Sequence, residues 1–325
     1  MPDISGSTIL VTGGSGLVGS HTVDRLLDED IEKVVVFDKV INEKNLENAR
    51  KSKKVKIVQG DIFNPEEVKR ASRGVDYVFH FAGMLLLPSS RDPRGALRDN
   101  ILGMFNLLEV LVKQKIKRFV YSSSISIYGS SKKKVLMKED YPLNNRTMYG
   151  AGKIVGEQFC RVFHDMAGLE YVALRYSSVY GPRQHYEGLY PRLIMESLDR
   201  IEKGLSPRIE GRGEEIQDFV YVGDVVKANL LALKSDVNDE AFNIVSGKPT
   251  TVKELIQTLI DLTNPKLKIE CLPRSSRVSV PFRWFSVEKA KKLLKFKPET
   301  GLKTGLKKLI DWRRFQAVKP LHDKI

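Results

Sequence analysis

The 325-residue sequence predicts an α/β fold, a doubly wound parallel sheet carrying a smaller C-terminal lobe. Three observations predict it. Short β-branched runs alternate with longer helix-patterned stretches through the first half of the chain. A glycine-rich turn follows the first of those runs. Beyond Arg175 the alternation gives way to segments punctuated by Pro182, Pro191 and Pro207.

The elements follow in chain order. "TILVT" (8–12), "KVVVF" (33–37), "VKIVQ" (55–59), "DYVFHF" (76–81), "RFVYS" (118–122) and "YVALR" (171–175) are nearly continuous apolar runs. That pattern marks strands covered on both faces, as in a parallel sheet between two helix layers. Residues 17–29, 65–72, 95–115 and 149–167 read as the helices between them. "DFVYV" (218–222) and "AFNIV" (241–245) are expected to return to the main sheet. Thr251 and Glu254 stand at capping-box spacing at the head of a further helix. "KAKKLLKFK" (289–297) reads as an amphipathic helix with Leu293 and Leu294 turned inward.

Composition narrows the functional classes. No apolar run reaches the ~18–20 residues of a membrane span, and "MPDISGSTILVTGG" lacks the pattern of a secretory leader. Cys160 and Cys271 are far apart, without metal-ligand spacing, and read as free core thiols of a reducing, cytoplasmic compartment. The net charge is +14, of which +12 falls between Lys248 and the C-terminus. Such a basic third suits anionic substrates, nucleic acid, a membrane surface or a plain solvated face. No stacking aromatics interleave with the lysines, so a nucleic-acid partner is not expected.

Gly13, Gly16 and Gly19 directly follow the first strand and open the first helix, with spacing GxxGxxG. This is the Rossmann-type arrangement: the backbone approaches a pyrophosphate, and the helix N-terminus favours its charge. Asp38, at the end of the second strand, is placed to accept from ribose hydroxyls and to repel a 2′-phosphate, which predicts NAD over NADP. Asp61 ends the third strand and either reaches the adenine amino group or caps the next helix. The expected division is therefore residues 1–176 as the NAD-binding domain, with returning segments near 213–247, and 177–212 plus 248–325 as a substrate lobe.

"YGAGK" sets Tyr149 and Lys153 on one helix face. A phenol with a pKa near ~10 is a poor base at neutral pH. A neighbouring ammonium and a cationic nicotinamide both favour its anion. Tyr149 is then a candidate base for a substrate hydroxyl. His80 reads as structural and His185 as a loop residue, and no His/Cys/Asp cluster marks a metal.

The glycine turn, Asp38, "HFAG" (80–83), Asn100, "YSSSISIYG" (121–129), "YGAGK" (149–153) and "LRYSSVYGPRQ" (174–184) occur in that order. From about residue 8 to 315 the chain resembles the extended short-chain dehydrogenase/reductase family, in its nucleotide-sugar epimerase branch. The resemblance implies NAD contacts from Gly13, Gly16, Leu17, Val18, Asp38, Asp61, Ile62, Phe81, Ala82, Gly83, Asn100, Ser122, Tyr149, Lys153 and Tyr176. It implies a catalytic set of Ser124, Tyr149 and Lys153. Substrate contacts are expected from Ser124, Tyr149, Ser178, Arg183, Gln217 and Arg277, with Arg274 the alternative to Arg277 at the diphosphate. It also implies a homodimer through a four-helix bundle of the helices near 95–115 and 149–167.

Ile125 and Ser126 follow the catalytic serine where related dehydratases and decarboxylases carry acids. Neither residue can transfer a proton as a carboxyl does. The expected reaction is thus 4-epimerisation of a UDP-sugar, with a reductase or dehydrogenase of the same family as the alternative and a non-catalytic dinucleotide-binding regulator as a remote one. Ser178 stands where relatives often have Asn, Gln217 where they often have Arg, and "GMLLLP" (83–88) is unusually apolar for the border of a sugar site.

Overall fold

A computed structural model describes residues 3–131, 133–274 and 282–318. Its centre is a seven-stranded, wholly parallel sheet. The strands are β1 (Thr8–Thr12), β2 (Lys33–Asp38), β3 (Val55–Gln59), β4 (Tyr77–His80), β5 (Arg118–Ser124), β6 (Tyr171–Tyr176) and β7 (Glu240–Ile244). They lie in the order β7-β6-β5-β4-β1-β2-β3. The order in which strands are added reverses between β1 and β4, and ligands of such sheets bind beyond the strand C-termini at that switch point.

Strand alternation divides the core. Ile9, Val11, Val34 and Val36 pack on one face with Val23 and Leu26 of helix α1 (Leu17–Leu26) and with Val225 and Leu233. Leu10, Val35 and Phe37 pack on the other with Leu107, Leu108 and Leu111 of α2 (Gly103–Lys113). Each such buried side chain stabilises the fold by roughly 1.5–3 kcal/mol relative to exposure. A third apolar cluster, with Ile194, Leu198, Phe219, Leu255, Leu259 and Leu309, lies in the later half of the chain.

Helix α3 (Met148–Ala167) is delimited by its sequence. The Thr147 side chain accepts from the Gly150 N–H, and Gly168 closes the helix in the left-handed conformation. The capping box at Thr251 and Glu254 is formed as expected.

Several expectations are corrected. The segment 218–222 does not join the main sheet. Strand Ile216–Tyr221 pairs with Pro249–Thr251 and Ser178–Tyr180 in a separate three-stranded sheet. The free edge of β6 is already taken by β7. The helix expected over 95–115 is interrupted: Pro93–Leu97 and α2 flank a π-helical turn, Arg98–Leu102, whose wider radius turns Asn100 into the interior. Leu294 and Phe296 are buried but Leu293 is exposed, because the helix stops at Leu293 and the chain turns there. Cys160 is buried, whereas Cys271 is exposed on a short edge strand.

Candidate active site

A cleft of about 1020 Å³ opens at the C-terminal ends of the strands. Its floor at the cofactor end is the turn from β1 into α1. Gly13 has φ +65°, and a side chain there would collide with the backbone of Phe81 and Ala82. At Gly19 an added Cβ would lie 2.2 Å from the Gly13 carbonyl oxygen, so α1 packs flush against the turn. Gly16 is the N-cap of α1 and offers no capping side chain, and the first turn carries no acid. The first N–H groups of α1, at Leu17 and Val18, therefore lack intrahelical partners beside the cleft, with the positive end of the helix dipole behind them. That cradle fits a pyrophosphate.

Asp38 lines the same cleft at the end of β2. Ser15 donates to its Oδ2 twice, from N–H at 3.0 Å and from Oγ at 2.7 Å, which fixes the carboxylate's direction. Asn45 in turn donates to the Ser15 carbonyl at 2.8 Å. Asp61 does not cap the next helix; Asn64 does. The Asp61 carboxylate accepts from the Phe63 N–H and pairs with Arg98 at 2.5 Å and Lys39 at 3.2 Å. Burial alone would raise its pKa, but these three partners hold the carboxyl below its usual range. Lys39, adjacent to Asp38, is thereby turned toward Asp61 and Asp99.

Ile62, Phe81, Ala82, Gly83, Ser122 and Tyr176 all line the cleft. Asn100 does not. It stands behind the wall, where its Oδ1 accepts the Met84 N–H at 2.6 Å and its Nδ2 donates to the Met84 carbonyl at 3.0 Å. Its place there is to hold the loop after β4. His80 is also buried behind the wall, 2.7 Å from the Thr12 hydroxyl.

At the centre, β5 ends on Ser124 facing α3. The Ser126 N–H and hydroxyl both donate to Ser124 Oγ, at 3.1 and 2.9 Å. With those acceptor positions filled, the one Ser124 proton is left to be donated. Burial pushes the Tyr149 phenol up, and its hydrogen bond with Ser124 pulls it back. Lys153 Nζ donates to the Ser122 carbonyl at 2.6 Å and lies 5.6 Å from the Tyr149 ring centre. Burial lowers the Lys153 pKa to about 8, opposed by the charge of Glu157.

The far end of the cleft holds polar atoms that await partners. Gln217 donates through Nε2 to Ser178 Oγ at 2.8 Å, leaving Oε1 buried and unpartnered. Arg183 is ion-paired with Asp24 of α1, yet its Nη1 has no partner; nor have Gln184 Nε2 and Arg283 Nε. All four residues line the cleft. Buried polar atoms are seldom left unsatisfied, so these three donors and one acceptor are free to bond water or a polar ligand. Arg274 is engaged by Glu215 and does not line the cleft, while Arg277 lies outside the described residues.

Sequence reasoning did not single out Ser15, Gln184 or Arg283. Ser15 sits inside the glycine turn and was legible there as a side chain between two glycines; the other two carry no local signal. Met84, Leu85, Leu86 and Pro88 form an apolar wall, as the composition of that stretch implied. Among the described residues, no group of His, Cys, Asp and Glu is arranged to hold a metal, and no helix is long and apolar enough to cross a membrane.

Comparisons with known proteins agree with this geometry. Residues 9–245 match the family model described as "NAD dependent epimerase/dehydratase family". A putative UDP-glucose 4-epimerase of Methanocaldococcus jannaschii is 34% identical over 310 residues, covering 94% of this chain and 98% of the relative. The solved UDP-glucose 4-epimerase of Thermotoga maritima, bound to UDP-glucose, is 32% identical with a TM-score of 0.86, covering 95% of this chain and 99% of that one. UDP-glucuronic acid 4-epimerase of Bacillus cereus, in complex with UDP-glucuronic acid and NAD, is 27% identical with a TM-score of 0.84 over 95% and 99% of the two chains. A glycine turn that fits a pyrophosphate, a carboxylate fixed at the end of β2 and a Ser/Tyr/Lys set lining the same cleft thus agree with the sequence relationships: this chain belongs to the NAD-dependent epimerase/dehydratase family.

Proposed function

We propose that the protein is an NAD-dependent nucleotide-sugar 4-epimerase acting on a UDP-sugar. The observation that carries this reading is the convergence of Ser124, Tyr149 and Lys153 on the cleft with only Ile125 and Ser126 after the serine. NAD, when bound, supplies the hydride acceptor and donor at carbon 4 of the sugar. Tyr149 takes the proton of the 4-hydroxyl and later returns it, so no net acid or base is consumed. Ser124, with one proton left to donate, steadies whichever of the phenolate and the sugar oxygen carries the negative charge. Lys153 keeps a positive charge beside the phenol. With no carboxyl following Ser124, elimination or decarboxylation lacks its acid–base group.

The sheet domain, residues 1–176 with the returning strand β7, holds the cofactor, and the later lobe holds the sugar nucleotide. Arg183, Gln184, Gln217 and Arg283 are the groups we assign to the substrate. A guanidinium at the diphosphate is met by Arg283 in place of Gln217, the position where relatives often have Arg. A homodimer fits the exposed Leu97, Leu102 and Phe105 of the segment 93–113 and Met148, Val162 and Met166 of α3, the two stretches assigned to a four-helix bundle. Two unpaired cysteines fit a reducing cytoplasm.

The test is incubation of purified protein, without added cofactor, with UDP-glucose, UDP-galactose, their N-acetyl forms and UDP-glucuronate, followed by chromatography that resolves epimers. A 4-epimer formed without added NAD supports the reading and names the sugar. No conversion of any of them with NAD supplied, together with net change in NADH absorbance, replaces it with a dehydrogenase or reductase.

A further inference from the structure

Three consecutive serines end β5, and three residues one turn apart on α3 face them. Tyr149, Lys153 and Glu157 are spaced by four and share a helix face. Ser124 meets Tyr149 through its hydroxyl. Ser122 meets Lys153 through its carbonyl. Ser123 donates its hydroxyl to Glu157 Oε1 at 2.5 Å. The first two rungs are the candidate catalytic set. The third has no place in the reaction as described, yet it is built with more contacts than either.

Glu157 is buried. Arg175 grips its carboxylate with both arms of the guanidinium, Nε to Oε1 at 2.9 Å and Nη2 to Oε2 at 2.7 Å. Arg175 sits opposite Ser123 in the β5–β6 ladder, so the pair locks onto the strand at the register of the serines. The other guanidinium nitrogen donates to the Tyr128 hydroxyl at 2.6 Å and the Glu139 carbonyl at 2.8 Å. Tyr128 donates its own proton to Asn243 Oδ1 of β7 at 2.8 Å. A buried ion pair is weak evidence for stability, since well-packed apolar residues often serve as well. A fully satisfied one specifies position and charge.

We infer that Glu157 is a positioning residue for the reaction: it fixes the end of β5 against α3 and holds the Lys153 ammonium in its charged form. This rests on the reading of Tyr149 and Lys153 as catalytic. Lys153 lies over the rings of Tyr121 and Tyr149, and the other titratable groups of this part of the core are His80 on β4, Arg175 and Tyr176 on β6, and Glu157 and Cys160 on α3. Burial leaves His80 neutral, with a pKa of about 3, and pushes Tyr121, Tyr176 and Cys160 upward, so they too are uncharged near neutrality; Tyr149 is pushed up as well and becomes an anion only where nicotinamide and substrate favour it. Arg175 pairs with Glu157 and so offsets part of the carboxylate's charge. Glu157 is the one carboxylate among these groups, one helical turn from Lys153, and its charge favours the proton that burial disfavours.

The experiment follows Lys153 directly in the full-length protein with NAD bound. Lysine carbon-13 labelled at Cε gives a resonance assigned by its loss in Lys153→Met. In Glu157→Gln its titration midpoint should fall by about half a pH unit or more, and the alkaline limb of kcat should move the same way with KM little changed. Ser123→Ala keeps the charge and should leave the midpoint in place. A folded Glu157→Gln protein with an unshifted midpoint overturns the inference, as does a Ser123→Ala shift equal to that of Glu157→Gln. Where Glu157→Gln alone fails to fold, Arg175→Gln leaves the carboxylate unneutralised and must raise the midpoint; an unshifted or lowered midpoint there also refutes it. The lysine titration needs no substrate, so it tests Glu157 even where the epimerase assay fails.

Discussion

Replacing Gly13 by alanine tests the cofactor cradle most directly. Gly13 holds φ +65°, a conformation that costs an L-residue roughly 1–2 kcal/mol. The new Cβ would lie 2.6 Å from Ala82 N and 2.7 Å from the Phe81 carbonyl carbon. Comfortable contact is about 3.5–4.0 Å. Both neighbours are backbone and cannot rotate away, so the loop after β4 must shift by roughly 1 Å, an overpacking cost of about 1–3 kcal/mol. Together these give about 2–5 kcal/mol, which for a chain of this size lowers Tm by roughly 4–10 °C. The same shift moves Phe81, Ala82 and Gly83, which line the cleft, so the purified variant should retain little NAD. Thermal unfolding followed by circular dichroism, with cofactor content measured after denaturation, reads both effects. A Tm within about 2 °C of the parent and full NAD content would refute the argument that this position requires glycine.

Tyr149→Phe should abolish turnover while leaving NAD bound; near-normal turnover would remove the phenol from proton transfer. Asp38→Ala should weaken NAD by about tenfold, about 1.4 kcal/mol, and improve tolerance of NADP, checked by titrating both cofactors; an unchanged preference would count against the ribose contact. The Lys153 ammonium is lost as pH rises through about 8, so kcat should fall there and not near the ordinary lysine range. A plateau persisting well above that pH would show that the charged lysine is not required.

Much of this was legible in the sequence because periodicity and local chemistry carried it. Six of the seven parallel strands could be read from continuous apolar runs, and the capping box at Thr251 and Glu254 and the turn at Gly13 from local residue types. The return of 241–245 to the sheet was readable in the same way, but the same pattern in 218–222 misled. An apolar run says that a strand is covered and not which edge covers it, and β7 had taken the available edge. Asn100 shows a related limit: its place in the motif order says nothing of the π-helical turn that points it at Met84. The unpartnered atoms of Gln184 and Arg283 were invisible to any local rule, since their meaning lies in what surrounds them in space. Asp61 was narrowed by the structure from two readings to one side of a cluster with Arg98 and Lys39, a clustering no spacing could have announced.

The placing of β7 has a consequence for biosynthesis. It comes from residues 240–244, yet it seals the edge of a strand that is complete at Tyr176. On the ribosome, β6 therefore emerges with a bare row of backbone donors and acceptors, and it stays bare while residues 177–239 are made. At ~5–20 residues per second that interval is roughly 3–13 s. An uncovered, apolar edge strand is a template for pairing with another chain. Nascent chains of this protein thus pass through a vulnerable interval fixed by the length of the intervening lobe. Slowed translation across that stretch should increase aggregation of the newly made protein even though the finished fold is unchanged.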